Sequence, residues 1–287
     1  MRSERSGGEA AGRDRSEAGE ADLLGRIEAY YDAAPRSAAD VEEHGALTLF
    51  VSRIPWRFYG RPRLGLGEDV GADDVAAVRA RQRDLGVREA FEWVHETTPS
   101  LAGAAAAAGL EVLRVPLLAL DAAEWIPAPE PDGVAVRMLG ADDGALAGAQ
   151  GAIELAFAAG GMDADDAGAE ERDLAVGKLG DLGFLRDRLR RGLTAMTVAE
   201  SDAEGVLGGG SHQLVGDVSE VTGVGTLPAA RRRGVGAAVT GRLVEHARER
   251  GADVVFLSAA DDDVARMYER LGFRRIGTAC LGHPSAA

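Results

Sequence analysis

Cys280 is the only cysteine in 287 residues, which rules out an intramolecular disulfide and a zinc centre built from several cysteines. It lies in the last apolar run with no base partner nearby in sequence, so a small buried hydrophobe is the expected role, and no metal site is expected. Lysine is as scarce. Lys178 stands alone, and without Gly-Lys-Ser/Thr there is no Walker loop. No window approaches the ~20 apolar residues of a membrane span, and "AGAAAAAGL" is far too short. The amino terminus, "MRSERSGGEAAGRDRSEAGEAD", has no apolar core for a signal peptide, so a cytoplasmic protein without membrane association is expected. Positive charge is in deficit, with 32 basic against 47 acidic residues and a net charge of −15. A fold-wide nucleic-acid footprint needs the opposite balance. An acidic surface suits cationic ligands and also serves solubility.

What is present is the apolar content of a globular protein, 46%, in a chain long enough for two domains. Residues 1–20 mix Gly, Ser, Arg and Glu without apolar periodicity and read as a disordered tail. "LLGRIEAYYDAAP" places Leu24, Ile27, Tyr30 and Tyr31 at helical spacing. A strand "ALTLFVSRI", a helix "VAAVRARQRDLG", a strand "EAFEWVHE", a helix "SLAGAAAAAG" and a strand "LEVLRVPLLAL" follow. The proline-rich stretch 124–132 reads as a linker between a domain at 21–123 and one at 133–287.

Beyond it come a strand "VAVRML", helical stretches at 141–158 and 169–191 separated by the loop "AAGGMDADDAGA", and hairpin strands "LTAMTVAE" and "GVLGGGSHQLV". The strand "SEVTGVGTL", a helix over 236–250, the strand "DVVFLSA", the helix "DVARMYERLG" and the strand "FRRIGTACLG" close the chain. Strands on both sides of helices indicate a mixed α/β sheet. The order also repeats, at 75–120 and at 237–282. A shift of 163 residues lays Gly109 on Gly272 and Leu110 on Phe273.

"RRRGVGAAVTGRL", 231–243, stands out against the acidic background. A strand, a glycine-rich turn and then a helix form a phosphate-binding arrangement, because the first-turn amides are free and the helix dipole is positive there. Glycine lets an anion approach the backbone, and arginine adds forked donors. "GVGTLPA" lacks the third glycine of a dinucleotide fingerprint, since Pro228 occupies that position.

Arg231, Gly234 and Gly236 form R-x-x-G-x-G, and Tyr268, Gly272 and Phe273 form Y-x-x-x-G-F after a helix and a strand. The two motifs in this order resemble the GCN5-related N-acetyltransferase (GNAT) family over residues 133–283. The resemblance implies a mixed-sheet α/β acyl-CoA N-acyltransferase fold, in tandem with a degenerate amino-terminal copy. It implies a sheet splayed between the strands at 219–227 and 253–259, with acetyl-CoA in the cleft as co-substrate. The pantetheine arm is then expected along Val224, Gly225 and Thr226. The pyrophosphate is expected on Arg231, Arg232, Arg233, Gly234, Val235, Gly236 and Ala237. Asp261 stands where relatives often carry an asparagine that contacts the arm, and capping of the last helix by Asp261, Asp262 or Asp263 is the other reading.

Acetyl transfer needs a neutral amine, a stabilised oxyanion and a proton for the leaving thiolate. By the same resemblance Glu220 is the candidate base, or else a solvated edge carboxylate; Glu200 and His212 are weaker candidates. Tyr268 is the candidate acid, or else packs its helix on the sheet. Backbone amide on the fourth strand would serve the oxyanion.

The amino-terminal copy carries Ala105 at the position of Tyr268, and an acidic run follows its "RPRLGLGED". Trp56, Tyr59, Glu92, Trp93 and His95 are either a pocket for a cationic acceptor or core and rim. The expected function is an N-acetyltransferase acting on a primary amine of a small molecule or peptide, in a monomer or homodimer. The alternative is a non-catalytic acyl-CoA-binding or regulatory protein on the same scaffold.

Overall fold

The computed structural model describes residues 6–65, 67–158 and 166–285. The chain runs through helix α1 (Ser6–Arg36), strands β1 (Ala39–His44), β2 (Leu47–Ser52) and β3 (Gly60–Pro62), helix α2 (Ala72–Asp84), strand β4 (Phe91–Val94), helix α3 (Ser100–Ala107) and strand β5 (Leu110–Asp121). Strand β6 (Ala135–Leu139) precedes helices α4 (Leu146–Ala158), α5 (Ala169–Val176) and α6 (Gly183–Arg190). Strands β7 (Ala195–Ser201), β8 (Gly205–Val215) and β9 (Val218–Thr226) follow, then α7 (Val235–Glu249), β10 (Val254–Ser258), α8 (Asp262–Glu269) and β11 (Arg274–Pro284).

Two compact units result, Met1–Leu117 with Ile276–Ala287, and Leu118–Arg275. In the first the strand order is β1-β2-β3-β4-β11-β5. Strand β4 runs parallel to β3 and antiparallel to β11, where Cys280 faces Trp93. Leu47, Leu49, Val75, Val78, Phe91, Trp93, Leu101 and Cys280 form its core. Burial pushes the Cys280 thiol above its ordinary pKa, so it packs as a hydrophobe, as its sequence setting indicates. On the other face, α1 buries Leu24, Ile27, Tyr30 and Tyr31.

In the second unit the order is β5-β10-β9-β8-β7-β6. The glycines of β8 show how its faces are covered. A Cβ on Gly209 would meet Ala149 and Ile153 of α4, whereas one on Gly210 would meet Val239 and Leu243 of α7. The two helices therefore pack on opposite faces of the strand.

Several expectations change. Helix α1 extends back to Ser6, so the anticipated tail of 1–20 is helical from that residue, and residues 1–5 lie outside the described chain. Residues 6–20 hold four glycines but no proline, so the backbone can continue as a helix there although the stretch has no strong apolar stripe. The helix expected over 169–191 is two, interrupted at Gly177 and Gly180. The loop anticipated at 158–169 lies mostly outside the described residues.

The proline-rich stretch does not coincide with the division between units, and it is packed on the second. Ile126 N–H donates to the Leu271 carbonyl at 3.4 Å. A Cβ on Gly241 would stand 2.8 Å from the Trp125 ring. The matching repeat does appear. Helices α3 and α8 both end at a glycine of positive φ, Gly109 at 80° and Gly272 at 96°, and each feeds a long strand.

Candidate active site

The site lies within the second unit and begins with a pair of strands that part. Strands β9 and β10 run parallel, but only Val218, Ser219 and Glu220 have partners, Val254, Val255 and Phe256. From Val221 to Thr226, β9 has no partner on that side. At the same level β9 itself bulges against its other neighbour, β8. Gly209 faces Gly225 and Ser211 faces Thr222, so Gly210 is opposed by both Gly223 and Val224. A bulge takes backbone groups out of the ladder and re-aims them. Val224, Gly225 and Thr226 thus offer a free strand edge, the geometry an extended amide-containing chain adds to. Gly225 lets α4 sit on this strand, for a Cβ there would be 2.9 Å from Ile153 Cα.

The strand edge leads to the amino terminus of α7. A 3₁₀ turn at Pro228–Ala230 leaves the strand, Arg232 takes a left-handed φ of 63°, and Gly234 caps α7 at φ 85° with no side-chain cap. The first-turn amides, including Val235, Gly236 and Ala237, are therefore left to another acceptor. Alternating left-handed residues make the concave run of N–H groups that binds anions. The three arginines differ. Arg233 is held by Glu204 at 2.9 and 3.0 Å. Arg231 reaches back to the Ala156 carbonyl at 3.4 Å, and both Arg231 and Arg232 are exposed. Arg231 and Arg232 present exposed guanidinium groups beside these amides, and Arg233 ties the loop to the β7–β8 turn.

For the CoA that the sequence leads one to expect here, Gly234→Asp should lower affinity at least about tenfold, because it puts a Cβ and a negative charge at a left-handed helix cap. Calorimetric titration of CoA into a variant whose melting confirms folding measures this. Undiminished affinity would remove the loop from the binding site.

Glu220 sits on the last paired rung of β9, at the apex of the opening. It faces Gln213 across β8, and the next such pair, Ser211 and Thr222, shares a 2.9 Å hydrogen bond between hydroxyls. Tyr268 on α8 is 6% exposed, with its ring edge-on to Phe273 at 5.8 Å. Its hydroxyl is hydrogen-bonded to Thr240 of α7. Thr240 donates its own proton to the Gly236 carbonyl at 2.9 Å, so the phenol must be the donor in the pair. Burial pushes the Tyr268 pKa up to about 12, opposed by the Thr240 contact, so the phenol keeps its proton at neutral pH. Tyr268 and Gly236 are thereby linked through Thr240, which couples the candidate acid to the phosphate loop.

Asp261 caps α8, accepting from Val264 N–H at 2.8 Å, which is the capping role the sequence offered as its second reading. Glu200 is bound to Arg137 at 2.6 Å, which spends its carboxylate. His212 projects to the α7 side of β8, whereas Glu220 pairs with Gln213 on the α4 side. Neither Glu200 nor His212 joins the cleft. Thr240 and the Glu204–Arg233 pair were not read from sequence. The first is an ordinary helix residue, and the second joins positions 29 apart.

The corresponding place in the first unit is built and then closed by its own acids. Strands β3 and β4 share one rung, Gly60 with Phe91, and α2 connects them. At the start of α2, however, the Asp74 carboxylate accepts from Gly71 N–H at 2.9 Å, and Asp73 adds a second negative charge in that turn. An anion would meet carboxylates there. Of the aromatic and acidic group expected as a pocket, Glu92 is ion-paired to Arg61, whose guanidinium lies 4.0 Å from the Tyr31 ring centre, and Trp93 is core. Core and rim describe these residues.

Residues 162–273 match the family model described as the acetyltransferase (GNAT) family. A GCN5-related N-acetyltransferase from Kribbella flavida superposes with a TM-score of 0.66 at 23% identity, covering 92% of this chain and 96% of its own. A tandem GNAT protein from the clavulanic acid biosynthesis pathway gives a TM-score of 0.53 at 16% identity, covering 82% of this chain and 77% of its own. A GCN5-related N-acetyltransferase from Sphaerobacter thermophilus gives 0.51 at 17%, covering 84% and 82%. No curated protein matches the chain. Among the described residues no helix is long and apolar enough to cross a membrane. The parted strands, the uncapped helix and the family match coincide in one unit: the chain carries a GNAT-family domain, a family of acyltransferases, within a tandem GNAT fold.

Proposed function

We propose that this chain is an acetyl-CoA-dependent N-acetyltransferase, moving an acetyl group to a primary amine of a small molecule or peptide by direct attack on the thioester. The observation that carries the reading is the partnerless stretch of β9 beyond Glu220, which leads to the uncapped first turn of α7. An acyl-CoA fits both. Its amide-bearing arm matches the strand edge, and its pyrophosphate matches the N–H groups and Arg231 and Arg232.

Glu220 takes the amine proton, directly or through water. A lysine-like amine of pKa ~10.4 is neutral only about once in 2,500 molecules at pH 7, so a base at the apex has work to do. The bulge at Gly223–Val224 supplies backbone donors for the developing oxyanion. Tyr268 holds the proton for the leaving thiolate. The acidic surface favours a cationic acceptor and disfavours nucleic acid.

Acetyl-CoA mixed with a panel of amines, while released thiol is followed, tests the reading. Thiol release that requires an amine is the expected result. Because Asp73 and Asp74 occupy the start of α2, calorimetry is expected to give one CoA per chain; two would mean that the first unit binds as well. The enclosed Tyr268 hydroxyl, already hydrogen-bonded to Thr240, favours a second reading, an acyl-CoA-binding protein without turnover. CoA binding with no thiol release for any amine would select it.

A further inference from the structure

At the other end of α7, about ten residues and ~15 Å from the phosphate loop, lies a cavity of about 230 Å³. Met138, Leu139, Leu189, Ala195 and Leu214 supply apolar walls, and Thr194, His212, His246 and Arg250 supply the polar ones. In a chain of net charge −15, no Asp or Glu lines this cavity. Behind Thr194 stands a second guanidinium, Arg188, 5% exposed and donating to the Thr194 hydroxyl at 3.0 Å.

The two imidazoles are ordered. Ser219 Oγ donates to the Gln213 carbonyl at 3.1 Å, so it accepts from His212 Nδ1–H at 2.8 Å. His212 Nε2 is then an acceptor, and His246 Nδ1–H donates to it at 2.8 Å. That leaves Nε2 of His246 as the position that gains a proton. Burial and the neighbouring Arg242 and Arg250 hold the His246 pKa below its ordinary value, against Glu249, which raises it. Burial, His246 and Arg250 hold His212 down to about 4. Without a ligand the pair is neutral near pH 7, and positive potential has no internal counter-ion at the cavity wall.

We propose that this cavity is a binding site for a small carboxylate with an apolar body. The volume is that of roughly eight waters, and so of a ligand of about that many heavy atoms. The carboxylate would lie toward Arg250 and His246 and the hydrocarbon toward Leu189 and Leu214. A phosphate suits it less, because half of the ten lining residues are apolar and only one guanidinium lines the cavity. An anion beside His246 raises its pKa, so binding takes up a proton. Affinity should therefore increase as pH falls from about 8 to about 6, while the ligand remains ionised.

Benzoate and 3-methylbutanoate are the probes, titrated into the full chain with CoA at saturation. The expected result is one saturable site, at least about tenfold weaker in Arg250→Glu, with affinity rising about threefold or more between pH 8 and pH 6. Arg250 is exposed at the end of α7, so the variant should fold, and His246→Gln provides a second loss without adding charge. The histidine ring resonances should shift on binding, with His246 titrating at higher pH. No saturable binding up to about 10 mM, binding unchanged in both variants, or benzoate displaced by CoA would overturn the proposal. Because CoA occupies the cleft throughout, failure here leaves the acetyltransferase reading intact.

Discussion

Replacing Tyr268 with phenylalanine is expected to lower kcat about a hundredfold or more with little change in CoA affinity. The ring keeps its place against Phe273, so the loss is chemical rather than a cavity. What goes is a proton donor that burial keeps protonated, its pKa pushed up to about 12. A packing role makes a different prediction through pH. A buried neutral phenol whose folded pKa lies above its unfolded value of about 10 contributes stability that is fully present below pH 10. That contribution is lost as pH rises toward 12. Wild type should therefore destabilise over this window more than Tyr268→Phe, whichever role the hydroxyl has in turnover. Turnover separates the roles. If kcat is unchanged while the alkaline stability difference persists, Tyr268 is a packing residue and solvent protonates the thiolate. If kcat falls and CoA affinity falls with it, the Tyr268–Thr240–Gly236 chain supports the loop rather than the chemistry.

Local chemistry made much of this site legible in the sequence. Pro228, the glycines at 234 and 236 and the helix behind them sit within ten residues of one another, so strand end, turn and helix start could be read together. Tyr268 was legible through the motif it shares with Gly272 and Phe273. Three features were not. Strand β1, "ADVEEH", fully buries only Ala39, and β3 spans three residues, so neither has an apolar alternation to read. The role of Arg233 depends on Glu204, which a hairpin brings back from earlier in the chain. The last is strand partnership. The repeat that relates Gly109 to Gly272 gives β5 and β11 the same lead-in, a glycine-terminated helix and then a long apolar strand. Nothing local distinguishes which sheet each should join. In the structure β11 completes the first unit beside β4, and residues 118–121 at the end of β5 belong to the second.

That exchange decides the fate of a fragment cut at the proline-rich stretch. Residues 131–287 contain the whole candidate site, so a chain of independent domains would leave this fragment soluble and active. We expect it to aggregate. It loses Leu118, Ala119 and Leu120, each at most 1% exposed, from the edge beside β10. It also loses Trp125 from the α7 surface at Gly241. Strand β11 meanwhile keeps its own apolar residues, Ile276, Ala279 and Cys280, without the β4 partners of Ala279–Gly282. Burying two leucines is worth roughly 3–6 kcal/mol, before the tryptophan and the lost strand pairing are counted. Whole domains have about 5–15 kcal/mol to lose, so the fragment should fall below folding. An open edge on β10 and an orphan strand would then promote association. Co-expressing residues 1–130 with 131–287 should restore solubility and CoA binding, because one piece supplies β5 to β10 and the other supplies β11 to β4. A soluble 131–287 that binds CoA alone would show that β5 and β11 are dispensable to the second unit, and would leave the site assignment standing. If co-expression fails as well, the two pieces must be joined for either unit to fold, and the tandem chain is one folding entity.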